Sequence, residues 1–375
     1  MLGDAKGKVM AILLMGTIMM SGLFGYGGTY LASRLNEQTV VTATDEDNKS
    51  AVSESNDTQN TLKLSSGAAH EEPLTIPEIA EMNGDCVVEI TTETVTTGGR
   101  MGQYVSEGAG SGVIIRSDGY IVTNNHVIEG AGKITVRLKN SETYTATLVG
   151  RDVKTDIAVL KIAATDLQTA LLGKSSRLVV GELAVAIGNP LGQLGGTVTE
   201  GIISALDRDI VIDGESMKLL QTSAAINPGN SGGGLFNEYG ELIGIVNAKS
   251  SGSDIEGLGF AIPIDTAKTI IDQIISYGYV QGRVDLGMTL LDITDSRTAM
   301  MYRVSKTGVY VLKTERDYGF KSGDRIISIN DTAIHSSSDV KTIVDSMGVG
   351  KTAKFTIERG KQTLELNITL VQATS

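Results

Sequence analysis

Tryptophan is absent from this chain, and cysteine occurs once, at Cys86. A single thiol excludes an intrachain disulfide framework, a cysteine-based zinc site and an iron–sulfur cluster. Histidine is nearly as scarce. His70, His126 and His335 leave little room for a multi-histidine metal site. Proline is rare against glycine, 5 to 45, so turns abound without a collagen-like or proline-rich architecture. With only 5 Phe and 11 Tyr, the cores must be aliphatic. Basic residues are outnumbered, 32 Lys and Arg against 44 Asp and Glu, for a net charge of −12. An acidic chain is a poor nucleic-acid binder, because phosphate contacts need clustered Lys and Arg.

What remains is 375 residues, 41% of them hydrophobic, enough for two or three domains with buried cores. Val9–Tyr26 carries no charge, and the uncharged run continues to Ala32. Such a stretch predicts a transmembrane anchor over 9–32. Lys6 and Lys8 precede it, so residues 1–8 are expected in the cytoplasm and everything after Arg34 outside. The alternative is a cleaved signal peptide ending near Leu31-Ala32-Ser33; the apolar run is longer than the usual signal core, which favours the anchor. Residues 33–74 are mostly Ser, Thr, Asp, Glu, Asn and Gln. That composition buries too little to offset ordering entropy and predicts a disordered acidic tether.

From Cys86 to Pro263 the signal is short β-runs: Cys86–Thr91, Gly112–Ile115, Ile134–Leu138, Ile157–Ile162, Ala184–Ile187, Leu242–Asn247 and Leu258–Ile262. Many short strands with Gly-rich turns predict an all-β sandwich or barrel. The one convincing helix begins near Ile264, with Asp265 as N-cap and Ala267, Ile270, Ile271, Ile274 and Ile275 at helical spacing. It is expected to connect two domains. Gly282 to Val371 is mixed, with short strands, a helix near Ser338–Met347, and turns at Ser322-Gly323-Asp324 and Arg359-Gly360.

Three signals in the β-region carry chemistry. Gly229-Asn230-Ser231-Gly232-Gly233 offers a serine hydroxyl in a tight turn whose backbone N–H groups can face a developing oxyanion. No helix follows it, so the nucleophile elbow of α/β-hydrolases does not fit. Ile121–Ile128 ends a strand in a polar turn holding His126, and imidazole is a general base that needs little tuning. Asp156 stands immediately before the apolar run from Ile157, where it can accept a hydrogen bond from His126 Nδ1. Singly, each is more simply a loop serine, a structural histidine or a strand-entry aspartate. Together they give the order His, Asp, Ser within an all-β region, the order of the chymotrypsin arrangement.

Residues 84–371 resemble the HtrA (DegP-type) family of trypsin-like serine proteases with a C-terminal PDZ domain. The matching stretches are Gly110–Ile115, Thr123–Val127, Asp156–Leu160, Ala186–Pro190, Ala225–Gly233 and Gly259–Pro263. The resemblance implies a chymotrypsin-like double β-barrel of two six-stranded barrels over 75–264, a linker helix over 265–281 and a smaller α+β PDZ domain over 282–375. It implies His126 as base, Asp156 as its orienter, Ser231 as nucleophile and the N–H groups of Gly229 and Ser231 as oxyanion hole. Ala225 stands where a specificity for Arg or Lys would call for an acid. With Ile226 and Ser250 it is expected to line an uncharged S1 pocket for small to medium apolar side chains. Leu286, Gly287 and Met288 fit the loop that captures a peptide carboxylate beside an added strand. Thr314–Phe320 departs from the family pattern, being shorter and more charged than the usual segment there. The implied activity is a membrane-anchored extracytoplasmic serine endopeptidase of protein quality control and stress response, acting on unfolded or mislocalised proteins. It needs no metal or organic cofactor, takes C-terminal peptides at its PDZ domain and assembles as a homotrimer. The rival reading is a non-proteolytic chaperone or scaffold using the same groove and PDZ domain.

Overall fold

The computed structural model describes residues 72–97, 103–189, 196–212, 215–248 and 258–374. The expected anchor and all but the end of the expected tether lie outside these. Among the described residues, no helix is long and apolar enough to cross a membrane.

The first element is a helix that sequence reasoning did not anticipate, α1 (Ile76–Asn83). Its signal was present in small: Thr75 and Glu78 form a capping box, and Pro77 sits in the first turn, where a missing N–H costs nothing. Seven strands follow: β1 (Val87–Thr97), β2 (Gln103–Arg116), β3 (Tyr120–Asn124), β4 (Lys133–Arg137), β5 (Thr143–Thr145), β6 (Thr147–Asp152) and β7 (Ile157–Lys161). Helix α2 (Asn125–Ile128) is a single turn after β3. The strands pair in the order β5-β4-β1-β2-β3-β7-β6. The expected six-stranded barrel therefore takes the form of a seven-strand path whose two ends, β5 and β6, are one run of chain broken only at Ala146. There the N–H leaves the run to bond Ile134 C=O at 2.9 Å.

The second lobe is a closed barrel, β10-β13-β12-β11-β8-β9. Its strands are β8 (Leu183–Gly188), β9 (Thr197–Ile212), β10 (Glu215–Thr222), β11 (Gly234–Phe236), β12 (Leu242–Val246) and β13 (Gly259–Pro263). Strands β7 and β12 read as unbroken apolar runs because both faces are covered, one by the lobe interior and the other by helix α3 (Ile264–Tyr277). Its buried stripe, Ile264, Ala267, Ile270, Ile271 and Ile274, joins the main core. The helix expected as a connector is thus part of the protease core, with Pro263 rather than Asp265 at its N-cap. Asp265, in the first turn, instead accepts the Ser176 N–H at 2.8 Å.

The last unit has β15 (Met288–Ile293), β16 (Gly308–Thr314), β17 (Arg325–Ile329), β19 (Thr352–Arg359) and β20 (Gln362–Thr369) in that order, with β18 (Thr332–Ala333) on β17. Strands β14 (Val284–Asp285) and β21 (Val371–Gln372) pair at its base. Helices α4 (Ser296–Met301) and α5 (Ser337–Met347) complete it. The core is built on Val309, Phe320, Val340 and Phe355, with Phe320 edge-on to Phe355 at 5.4 Å. This unit is held to the first lobe by ion pairs. Arg283 grips Asp152 with two bonds of 2.9 and 2.7 Å, and Lys154 meets Asp345 at 2.6 Å. Lys341 reaches Glu215 of the second lobe at 2.7 Å.

Candidate active site

The site is assembled at the seam of the two lobes. β3 delivers the chain into α2, so His126 projects from the first turn after a buried strand. Asn124, the residue before that turn, is fully buried, and its side-chain amide donates to Asp156 C=O at 3.0 Å. The Asn125 N–H donates to the same carbonyl at 3.1 Å. These bonds tie the histidine turn to the loop before β7. That loop places Asp156 at φ 54°, a left-handed conformation that Asp tolerates better than most residues.

Asp156 is 6% exposed, and its carboxylate faces three donors. Oδ1 accepts the His126 backbone N–H at 2.9 Å. Oδ2 lies 2.6 Å from His126 Nδ1 and accepts from Asn247 Nδ2 at 2.9 Å. A carboxylate accepts, so Nδ1 carries the ring proton and Nε2 presents its lone pair. Nε2 stands 3.0 Å from Ser231 Oγ. That oxygen also accepts the Ala248 N–H at 3.2 Å, which leaves the hydroxyl proton to point at His126. The three residues picked from sequence are thus in one line of hydrogen bonds, with polarity set from Asp156 to Ser231.

Around Ser231 the backbone is shaped by glycine. Gly229 has φ 101°, a conformation reserved for glycine. A Cβ at Gly232 would collide with the Ser111 carbonyl and the Thr123 hydroxyl, so only glycine lets the serine loop press against β2. Among the described residues, the N–H groups of Gly229 and Ser231 carry no backbone hydrogen bond. The sequence supplies an explicit signal for His126, Asp156 and Ser231, but not for Asn247. It ends the apolar β12 run and is fully buried, and a buried amide closing such a run must find a polar partner.

Ala225 is exposed on the segment leading from β10 to Ser231, and its carbonyl accepts from Thr199 Oγ1 at 2.8 Å. Ile226, half-buried, packs on the second-barrel cluster of Leu178, Ile203 and Ala261. Ser250 lies outside the described residues. Leu286, Gly287 and Met288 sit apart, in the C-terminal unit at the start of its edge strand β15. There the Gly287 N–H is already taken by Asp285 Oδ1 at 2.7 Å. Arg316, from the atypical Thr314–Phe320 segment, holds the other Asp285 oxygen at 2.5 Å and lays its methylenes over Gly287.

Geometry and pattern agree with comparison. The trypsin-like peptidase domain family matches residues 110–245, and the PDZ domain family matches residues 284–370. The molecule is a trypsin-like peptidase fold joined to a PDZ domain. It is 42% identical over 303 residues to the serine protease Do-like HtrB of Bacillus subtilis, covering 75% of this chain and 66% of that protein. To the serine protease Do-like HtrA of Lactococcus lactis subsp. cremoris it is 38% identical over 291 residues, covering 71% of each. The solved HtrA-type protease AlgW with a decapeptide superposes with a TM-score of 0.51 at 32% identity, over 80% of this chain and 98% of that one. The chain belongs to the HtrA family of serine proteases. It spans about two thirds of the Bacillus protein, 66%, and about half, 54%, of a matching Chlamydia trachomatis relative whose name describes a periplasmic DegP-like serine endoprotease.

Proposed function

We propose that this protein is a serine endopeptidase that works outside the cytoplasm on unfolded or mislocalised proteins. The observation that carries this is the line Asp156–His126–Ser231, with contacts of 2.6 and 3.0 Å. In this mechanism Ser231 Oγ attacks the scissile carbonyl while His126 Nε2 takes its proton. Asp156 holds the imidazole in place and stabilises the imidazolium. The N–H groups of Gly229 and Ser231 receive the oxyanion. Collapse of the tetrahedral intermediate breaks the C–N bond, and His126 returns the proton to the leaving amine. Water, deprotonated by His126, then hydrolyses the acyl-enzyme and restores Ser231. A site with nucleophile, base and orienter all in hydrogen-bond register favours proteolysis over a scaffold or chaperone role.

Ala225, Ile226 and Ser250 form the proposed S1 wall; all three are uncharged, which suits small to medium apolar P1 side chains. The two catalytic lobes are assigned to 75–264, the helix that completes their core and leads onward to 265–281, and the PDZ domain to 282–375. The periplasmic description of the chlamydial relative and the uncharged run Val9–Ala32 after Lys6 and Lys8 support an anchored enzyme facing outward. The test is casein digestion and fluorophosphonate labelling of wild type beside Ser231→Ala. Loss of both in the variant, with folding intact, supports the assignment. Equal turnover by the two proteins refutes it.

A further inference from the structure

The hydroxyl of Ser111 has no part in the reaction just described, yet it touches the loop on which that reaction depends. Ser111 lies on β2 of the first lobe and is fully buried. Its Oγ is 2.6 Å from Gly229 C=O and 2.8 Å from Asn189 N–H, at the end of β8 in the second lobe. The direction of these bonds is fixed. A backbone N–H can only donate, so Asn189 fills a lone pair on Oγ, and the single hydroxyl proton goes to the Gly229 carbonyl.

The Gly229–Asn230 peptide is held at both of its polar groups, its C=O by the Ser111 hydroxyl and its N–H by the loop's own backbone. Asn230 N–H bonds Asn227 C=O at 3.0 Å, Ser231 C=O accepts the Ser111 N–H at 2.8 Å, and Gly232 N–H bonds Val246 C=O at 2.9 Å. Pro228 has no N–H, and Gly229 has no side chain to restrict rotation about its φ of 101°. Rotation there swings the Gly229 N–H relative to the serine. Among the described residues, the contact that fixes the carbonyl side of Gly229 is the Ser111 hydroxyl.

We propose that Ser111 is a positioning residue for the oxyanion hole: together with the Asn230 N–H bond to Asn227 it fixes the plane of the Gly229–Asn230 peptide across the lobe seam, the frame from which the Gly229 N–H, one backbone rotation away, is aimed at the developing oxyanion. The inference rests on the reading of Ser231 as nucleophile. A hydroxyl acting this way governs the transition state and leaves the ground-state groove unchanged, so its loss should appear in kcat and not in KM. Removing an oxyanion donor outright costs about 10²- to 10³-fold. Displacing one by rotation should cost less, about 10- to 100-fold.

The experiment uses the full-length chain with Ser111→Ala and Ser111→Cys. The thiol nearly conserves volume but donates weakly, so it guards against an alanine variant that fails to fold. Melting temperature, kcat and KM on a chromogenic peptide with an apolar P1, and inhibition by the matching peptide boronate are measured for both variants. Expected is a kcat about 10- to 100-fold lower with KM within twofold. Boronate affinity should fall by the same factor, because the boronate needs the oxyanion hole, while binding of an uncleavable peptide should stay at the wild-type level. The proposal is overturned if a folded variant keeps kcat within threefold of wild type, if boronate affinity is unchanged, or if kcat falls only in step with melting temperature. A wild type with no Ser231-dependent turnover overturns the underlying endopeptidase reading instead, and that outcome is visible before any Ser111 variant is made.

Discussion

Replacing Asp156 by Asn tests the site more sharply than deleting Ser231, because it changes one atom and leaves the volume intact. The carboxylate meets donors only: the His126 N–H on Oδ1, and His126 Nδ1 with Asn247 Nδ2 on Oδ2. An asparagine amide must place its NH2 against one of these sets. At the Oδ1 position it opposes a backbone N–H that cannot turn away. At the Oδ2 position the clash is relieved if the Asn247 amide flips and the imidazole moves its proton to Nε2. The second arrangement costs less, and it gives the wrong tautomer, since Nε2–H cannot accept the Ser231 proton across 3.0 Å. The expected loss in kcat is about 10⁴-fold, the scale known for this substitution in another serine protease. That equals about 5.5 kcal/mol of transition-state stabilisation. The assay is hydrolysis of a chromogenic peptide with an apolar P1, normalised to folded protein by melting temperature. A loss under tenfold would mean that Asp156 orients nothing and that the 2.6 Å contact is incidental to turnover.

Arg283→Ala should leave the Asp152 carboxylate, whose side chain is 4% exposed, without its counter-ion and with the Thr155 hydroxyl at 2.6 Å as its remaining side-chain donor, and cost about 2–4 kcal/mol of stability read from denaturant midpoints; a change within error would show the pair to be neutral. Asp285→Ala should free the Gly287 N–H and Arg316 for a peptide's terminal carboxylate, raising affinity for apolar C-terminal peptides about fivefold in a polarisation assay. Amidated peptides should not gain, and an equal gain for both would detach the effect from the carboxylate. Burial pushes the Cys86 thiol from its ordinary 9.0 to about 12. The unfolded chain therefore loses this proton before the folded one does, and stability should drop as pH rises from about 9 toward 12. The portion of that slope due to the thiol should vanish in Cys86→Ala, and maleimide should label native protein no faster than it unfolds.

The legible parts of the fold were those whose burial leaves a one-dimensional trace. Ile157–Ile162 and Leu242–Asn247 read as strands because both faces are covered, and Ile264–Tyr277 read as a helix because one stripe is. β9 and β10 were not read, since β9 is half-buried or exposed at all but two positions and β10 buries its residues without a regular alternation. α1 was missed because eight residues carry barely two turns of periodicity. At the site, His126, Asp156 and Ser231 were found through their local turns. The partners that position them were not, because Ser111 meets a residue 118 positions away and Asn247 one 91 positions away. The Asp285–Arg316 clasp spans 31 residues and likewise depends on how β14 and the Thr314–Phe320 segment happen to meet.

The placement of α1 and α3 sets an order in time. α1 precedes the first lobe yet is fastened to the second, with Leu74 N–H on Glu238 C=O at 2.8 Å and Asn83 Nδ2 on Gly240 C=O at 3.2 Å. α3 follows the second lobe yet its stripe lies in the core shared with β7 of the first. Each lobe is thus finished by a segment whose other contacts lie across the seam. During synthesis the first lobe emerges without its covering helix, and it must wait for the chain to reach Tyr277 before β7 is sealed on both sides. A nascent chain therefore holds His126 and Asp156 before it has Ser231, and it gains a rigid seam only when the whole protease has been made.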